Sequence, residues 1–169
     1  MEILLSSLQL QLTLKRLAHQ LLEEVSDYDN IVFIGLQPRG IQVANRIMEI
    51  AKELAGDKPI HYAVLDITFY RDDIRNELHI PRETNLLQSI EGKKVVLIDD
   101  VLYTGRTIRA ALDALQDFGR PQKVALCVLI NRRFSRELPI QPDFCGMAID
   151  TNPGQKVKVE WEREEVILY

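Results

Sequence analysis

Apolar positions repeat along the chain with two different periods. Leu10, Leu14, Leu17, Ala18, Leu21, Leu22 and Val25 fall three or four residues apart, which predicts an amphipathic first helix with Lys15, Arg16 and His19 off its apolar stripe. Residues 31–36 form a short apolar run ending in Gly35-Leu36-Gln37-Pro38-Arg39-Gly40, the pattern of a buried strand followed by a tight loop. Helical spacing returns at Ile41, Ala44, Ile47, Met48, Ala51 and Leu54. Further strands are predicted over 61–68, 94–98 and 123–130, and a helix over 107–118. The stretch 70–89 is polar, charged and without steady period, a length that in compact domains belongs to functional lids or mobile segments.

Strands separated by helical crossovers predict a parallel sheet covered on both faces, the doubly wound α/β class. Ligands of such sheets bind beyond the carboxyl ends of the strands, which singles out the loops 36–40, 70–89 and 99–107. After Asn131 the pattern changes: Pro139, Pro142 and Pro153 divide short strand-like pieces near 144–149, 157–161 and 166–168. This predicts a small subdomain over 131–169, appended to a core over 1–130, within a single domain spanning 1–169.

A length of 169 residues leaves room for a sizeable core, and 46% hydrophobic with 27% charged residues is ordinary for a globular protein. The net charge of -4 excludes a surface that is basic all over, though not a local basic patch. Cys127 and Cys145 match no metal spacing and are too few for a disulfide framework; Cys127 lies in an apolar run and reads as a small core residue. Residues 1–6 lack the positive start and apolar stretch of a signal peptide, and no apolar run approaches membrane-spanning length. The expectation is a cytoplasmic protein with no membrane partner.

Chemistry concentrates in Ile98-Asp99-Asp100-Val101-Leu102-Tyr103-Thr104-Gly105-Arg106-Thr107. A buried strand runs through two carboxylates into a loop bearing Thr and Gly that opens a helix. Successive backbone N–H groups in such a turn, with the positive end of the helix, form a concavity suited to phosphate. Gly105 permits a backbone geometry that other residues resist, and the hydroxyls of Thr104 and Thr107 can donate to the same anion. Adjacent carboxylates can accept hydrogen bonds from vicinal sugar hydroxyls or hold a hydrated magnesium ion. No Walker loop and no G-x-G-x-x-G fingerprint occurs.

That run resembles the phosphoribosyl-pyrophosphate (PRPP) motif of type I phosphoribosyltransferases. Within that superfamily the chain is similar to the bifunctional pyrimidine-operon regulatory protein/uracil phosphoribosyltransferase family. The similarity also rests on Lys15-Arg16-Leu17-Ala18-His19, on Gly35-Leu36-Gln37-Pro38-Arg39-Gly40, on Asp66-Ile67-Thr68-Phe69-Tyr70-Arg71-Asp72-Asp73 and on Arg136-Glu137-Leu138-Pro139-Ile140.

The resemblance implies a type I phosphoribosyltransferase fold: an α/β protein with a doubly wound, mainly parallel sheet and a small C-terminal hood subdomain. It implies the reaction of uracil with PRPP to give UMP and pyrophosphate, with magnesium (Mg2+) as cofactor. Val101, Leu102, Tyr103, Thr104, Gly105, Arg106 and Thr107 would bind the 5′-phosphate. Asp99 and Asp100 would be catalytic, meeting the ribose hydroxyls or the metal through water. Gln37, Pro38, Arg39 and Gly40 would hold pyrophosphate, with Arg71 as a further catalytic residue closing over it. Ile130, Asn131, Leu138 and Pro139 would line the base, and Lys15, Arg16 and His19 would belong to a surface for a messenger RNA leader. A homodimer or higher homo-oligomer is also implied, with Leu4, Leu5, Leu8 and Leu12 as contributors.

Three departures from the family pattern stand out. Pro38 replaces a Thr and supplies no N–H for pyrophosphate. Asn131-Arg132-Arg133-Phe134-Ser135-Arg136-Glu137 replaces Asp-Arg-Gly-His-Arg-Glu and is one residue longer. Gln141 and Met147 stand where relatives carry Arg and Lys, which predicts weaker and less salt-sensitive RNA binding. Two alternatives stay open: a purine (hypoxanthine/guanine) phosphoribosyltransferase, and an RNA-binding regulator with little catalytic activity. Tyr103 is left between packing and the border of the ribose.

Overall fold

A computed structural model describes residues 1–70 and 89–169; the segment between them, with Arg71 and most of the anticipated 70–89 loop, lies outside the described residues. In chain order the elements are β1 (Glu2–Leu5), α1 (Ser7–Glu23), β2 (Ile31–Gln37), α2 (Gly40–Ala55), β3 (Tyr62–Asp66), β4 (Lys94–Leu102), α3 (Arg106–Leu115), β5 (Lys123–Arg133), β6 (Phe144–Asp150), β7 (Val157–Glu160) and β8 (Glu165–Leu168). Five strands form a sheet in the order β3-β2-β4-β5-β6, with every neighbouring pair parallel.

The apolar runs are continuous because each central strand is buried on both faces. Ile31 and Phe33 of β2, Val96 and Ile98 of β4, and Ala125, Cys127 and Leu129 of β5 pack with α1 and α2. Their neighbours Val32, Ile34, Leu36, Val95, Leu97, Leu126 and Val128 pack on the other face with α3. Cys127 is fully buried and its thiol is pushed up to about 12 by burial, as expected of a core residue. The first helix begins earlier than its apolar stripe. Gln9 explains this: its Oε1 accepts the Ser6 N–H at 2.9 Å, satisfying a donor that precedes the helix.

The region after Asn131 divides differently from expectation. Residues 131–133 complete β5, and β6 adds to the central sheet, so the boundary expected at 130/131 is not where the sheet ends. A second sheet, antiparallel and ordered β1-β8-β7, joins the N-terminal strand to the C-terminal hairpin. Glu164, in the β7–β8 turn, docks this sheet on two helices. Its carboxylate accepts from Ser7 Oγ at 3.2 Å, Gln11 Nε2 at 3.1 Å and Arg46 Nη1 at 2.9 Å. The Arg46 guanidinium also lies 5.6 Å from the Trp161 ring centre.

Two of the anticipated surface residues make contacts within the chain, and Arg16 stays exposed while making them. Leu5 is 6% exposed and belongs to the core, so it cannot serve an oligomer contact, whereas Leu8 and Leu12 are 66% and 56% exposed. Arg16 reaches from α1 to β6, where Nη1 donates to the Cys145 carbonyl at 3.3 Å and Nη2 to the Gly146 carbonyl at 2.5 Å. Because β6 ends the sheet, these contacts fix an otherwise weakly held edge strand. Arg16→Met should therefore lower stability by about 0.5–1.5 kcal/mol, read from the urea midpoint. An unchanged midpoint would show that the two carbonyl contacts do not hold β6.

Candidate phosphate and sugar site

Parallel pairing brings the carboxyl ends of β2, β3, β4 and β5 to one edge of the sheet, where ligands of such folds bind. There β4 runs on to Leu102, so Asp99 and Asp100 stand within the strand, although a loop was expected from residue 99. Two helices begin at this edge, α2 at Gly40 and α3 at Arg106. Both present N–H groups without intrahelical partners and the positive end of the helix dipole.

Gly40 makes the first of these approaches possible. A Cβ there would lie 2.7 Å from Asp99 Oδ1 and 2.8 Å from both the Asp99 Cα and the Ile98 carbonyl. Any side chain would push the start of α2 off β4. Asp99 is only 4% exposed, and its Oδ1 accepts the Asp100 N–H at 2.9 Å. The half-buried Asp100 accepts the Val101 N–H at 2.8 Å. Burial raises the pKa of Asp100 above the ordinary carboxylate value, while the Val101 N–H, the bond with Asp99 and the Arg39 guanidinium pull it back. Such a pair favours any ligand that brings hydroxyl donors or positive charge.

Before α2, the Gln37–Pro38 peptide is cis, Gln37 is half-buried, and Pro38 and Arg39 are exposed. Pro38 has no N–H to offer, but Gly40 opens a 16-residue helix, so donors for an anion are available from its first turn. Asp66, quoted from the sequence only as part of the family resemblance, is 7% exposed at the end of β3; its Oδ1 accepts from the Thr68 N–H at 2.9 Å and the Thr68 hydroxyl at 2.5 Å, turning the chain away from the strand.

The loop before α3 takes the form its residues predict. Gly105 has φ 94, a left-handed conformation, and a Cβ there would meet Ile140 at 3.3 Å and Leu138 at 3.4 Å. Thr104 Oγ1 accepts the Arg106 N–H at 3.4 Å, and Thr104 and Thr107 are half-buried at the helix start. Val101 is half-buried and Leu102 is 1% exposed in the core, so Leu102 can serve an anion only through its backbone. The Arg106 side chain turns towards Glu137, with Nε 2.5 Å from Oε2.

A bracket formed by residues 132–138 holds this loop from behind. The Thr104 carbonyl accepts the N–H groups of Glu137 at 3.0 Å and Leu138 at 3.2 Å. Arg136 Nη1 donates to the Tyr103 carbonyl at 2.6 Å and the Leu102 carbonyl at 3.4 Å, and Ser135 Oγ lies 3.3 Å from the Tyr103 carbonyl. The Arg132 guanidinium stacks 3.8 Å from the Tyr103 ring centre, which gives that ring a packing role on one face while leaving Tyr103 44% exposed. Arg132 is itself 5% exposed and donates to Thr151 Oγ1 at 3.0 Å and the Gln155 carbonyl at 2.9 Å. Nothing in the sequence pattern pointed to Arg132 or Arg136 as supports of the loop: Arg136 is held mostly by main-chain oxygens, and the partners of Arg132 lie far from it in sequence.

The anticipated base-lining residues are not equivalent. Ile130 is fully buried in the α1/α2 core, leaving only its backbone for a ligand. Asn131 is 8% exposed, and its Oδ1 accepts from Arg136 Nη2. Leu138 is half-buried beside Gly105, and Pro139 is exposed. On α1, Lys15 and His19 are exposed. At the start of the undescribed segment, the Tyr70 hydroxyl donates to Asp117. Among the described residues no cluster of three or more His, Cys, Asp or Glu side chains could cage a metal. The Asp99–Asp100 pair fits magnesium bound mainly by water and ligand oxygens, the usual habit of that ion.

Comparison with known proteins gives a consistent picture. Residues 2–164 match the phosphoribosyl transferase domain family. The chain is 43% identical to the "Bifunctional protein PyrR" of Microcystis aeruginosa, over 92% of this chain and 88% of that protein. It is 44% identical to the protein of the same name from Haemophilus ducreyi, over 95% of this chain and 90% of that one. Among solved structures, a hypoxanthine phosphoribosyltransferase from Staphylococcus aureus superposes with a TM-score of 0.70 at 22% identity, covering 88% of this chain and 77% of that one. At that identity the last likeness establishes the fold alone.

The raised pKa of Asp100 has a consequence for stability. Its proton is held more tightly in the folded than in the unfolded chain. The resulting stabilisation is complete below the unfolded value and is lost as the pH rises through the raised folded value. Asp100→Asn cannot titrate, so thermal melting at neutral pH should find it at least as stable as the wild type. The wild type should gain on the variant as the pH falls. A wild type that instead gains on the variant as the pH rises would contradict the raised pKa.

Proposed function

Because the chain belongs to the phosphoribosyl transferase domain family and aligns with bifunctional PyrR proteins at 43–44% identity over 90–95% of its length, we propose that it transfers the ribose 5-phosphate of PRPP to uracil, releasing pyrophosphate. We extend the proposal to a second role in the cytoplasm, the binding of a pyrimidine-operon RNA leader. The observation that carries the catalytic reading is the Asp99–Asp100 pair between the starts of α2 and α3.

The hard step is breaking the bond between C1′ and pyrophosphate while positive charge develops on the ribose. An enzyme helps mainly by positioning and by electrostatics already in place. The start of α3, with Thr104 and Thr107, takes the 5′-phosphate; the start of α2, with Arg39, takes pyrophosphate, joined by Arg71. Asp99 and Asp100 hold the ribose hydroxyls between the two, and their negative charge favours the oxocarbenium-like transition state. Magnesium, when bound beside Asp99 and Asp100, would neutralise charge on the departing pyrophosphate. Uracil is preferred to a purine because the curated relatives carry the PyrR name, whereas the purine transferases are alike in fold only.

For RNA, the support is the exposed Lys15 and His19 on α1 and the bifunctional name of the relatives. Leu8 and Leu12 lie on the same helix and are available for self-association.

Incubation with PRPP, magnesium and a panel of bases tests the first role. UMP should form from uracil, and Asp100→Asn should lose turnover strongly while keeping its melting curve. Product from hypoxanthine or guanine but none from uracil would overturn the assignment. For the second role, filter binding should show tight, salt-sensitive retention of a pyrimidine-leader RNA, weakened by Lys15→Gln with a shallower salt slope. Equal affinity for an unrelated RNA would remove that role.

A further inference from the structure

We propose that Arg136 is the positioning residue of the 5′-phosphate loop, holding the Tyr103 carbonyl so that the Thr104 amide faces the phosphate, beside the Gly105 amide that the adjoining Glu137 and Leu138 orient. The inference rests on the assignment of residues 101–107 to the 5′-phosphate.

The Arg136 guanidinium faces five neutral oxygens. Nη1 donates to the carbonyls of Tyr103 at 2.6 Å, Arg132 at 2.8 Å and Leu102 at 3.4 Å; Nε donates to the Ile140 carbonyl at 2.8 Å; Nη2 donates to Asn131 Oδ1. Only a planar fork of donors spans acceptors on the end of β4, the end of β5 and the segment after it. Three consecutive carbonyls of the loop, those of Leu102, Tyr103 and Thr104, are bound on this one side: two by Arg136 and the third by the N–H groups of Glu137 and Leu138.

A trans peptide is planar, and its C=O and N–H point in opposite directions. Fixing the Tyr103 carbonyl on Arg136 therefore aims the Thr104 N–H the other way. Fixing the Thr104 carbonyl on Glu137 and Leu138 does the same for the Gly105 N–H. Neither N–H donates to an acceptor among the described residues. Two unsatisfied donors at the start of a helix, one on the buried Gly105, are a costly arrangement unless an anion supplies the acceptors. The charge on Arg136 adds to this. Among the described residues Arg136 pairs with no carboxylate, so its positive charge lies uncompensated behind the loop.

Arg136→Lys keeps the charge but loses the fork, and Ser135→Ala removes a hydroxyl that lies 2.8 Å from the Arg132 carbonyl and 3.3 Å from the Tyr103 carbonyl, loosening the bracket beside Arg136 with little risk to folding. Ribose 5-phosphate and pyrophosphate are titrated separately by calorimetry into wild type and both variants, with melting curves recorded. Arg136→Lys should bind ribose 5-phosphate about tenfold or more weakly and pyrophosphate as the wild type does. Ser135→Ala should show a smaller loss, about threefold, in the same ligand alone. In turnover, the KM for PRPP should rise more than kcat falls. Equal affinity of Arg136→Lys and wild type for ribose 5-phosphate would overturn the proposal, as would matched losses of both ligands, which signify general loosening. If Arg136→Lys does not fold, Ser135→Ala decides by the same criteria. A wild type that binds pyrophosphate but not ribose 5-phosphate would instead overturn the loop assignment on which the proposal rests.

Discussion

Asp99 is a carboxylate, 4% exposed, at the end of an apolar strand, and the arrangement of the site follows from what that burial costs. An ionised carboxylate out of water is penalised by several kcal/mol unless donors and positive potential surround it. The Asp100 N–H supplies one donor, and the start of α2 supplies the potential. That help arrives only because Gly40 has no side chain and lets α2 close to within contact of Asp99 and the Ile98 carbonyl. It also requires β2, which feeds α2, to lie next to β4, as it does. A sheet that placed another strand there would deprive Asp99 of the positive end of α2.

The two ends of the site are built on one scheme with different supports. On the α2 side, donors come from a helix start tied directly to the core through Val43, Ala44, Ile47 and Met48. On the α3 side, a loop precedes the helix, and its carbonyl face must be satisfied by something. Residues 132–138 do this, which leaves the N–H face to a ligand. The β1-β8-β7 sheet is docked elsewhere, through Glu164 to α1 and α2. Support of the loop before α3 and docking of the small sheet are thus separate tasks performed by separate segments.

What the sequence discloses follows from the range of the interactions. Strands β2, β4 and β5 are legible because burial on both faces leaves an unbroken apolar run. The last residues of β4 are not, since two carboxylates inside a strand resemble the start of a loop. Strand β1 is invisible for another reason: Glu2 pairs with Leu168, and no local pattern reveals a partner at the other end of the chain. The misplaced boundary at Asn131 has a similar cause, because the prolines before β6 suggest a new unit while its pairing with β5 is set by the sheet. Within the site, the Asp99–Thr107 chemistry is contiguous and therefore readable. Arg132 and Arg136 are not: Arg136 is bound mostly by backbone oxygens, which every residue possesses, and Arg132 by partners distant in sequence, Tyr103, Thr151 and Gln155.

That distinction changes the meaning of the segment 131–137, where the chain leaves its family's pattern. Read as sequence, the departures fall in the part expected to recognise the base, and so suggest an altered base. In the structure these residues mostly brace the loop that precedes α3. Asn131 anchors Arg136, Arg132 stacks on Tyr103, and Ser135 reaches the Tyr103 carbonyl. Arg133 is tied away from the site by Asp150, with Nε 2.8 Å from Oδ1. Phe134 is 90% exposed with φ 58, the left-handed conformation that glycine takes more easily, as a turn forced by one additional residue would require. These are changes in how the loop before α3 is braced. They give no reason of their own to assign a different base, and the likeness to PyrR proteins therefore keeps its weight in the choice of uracil.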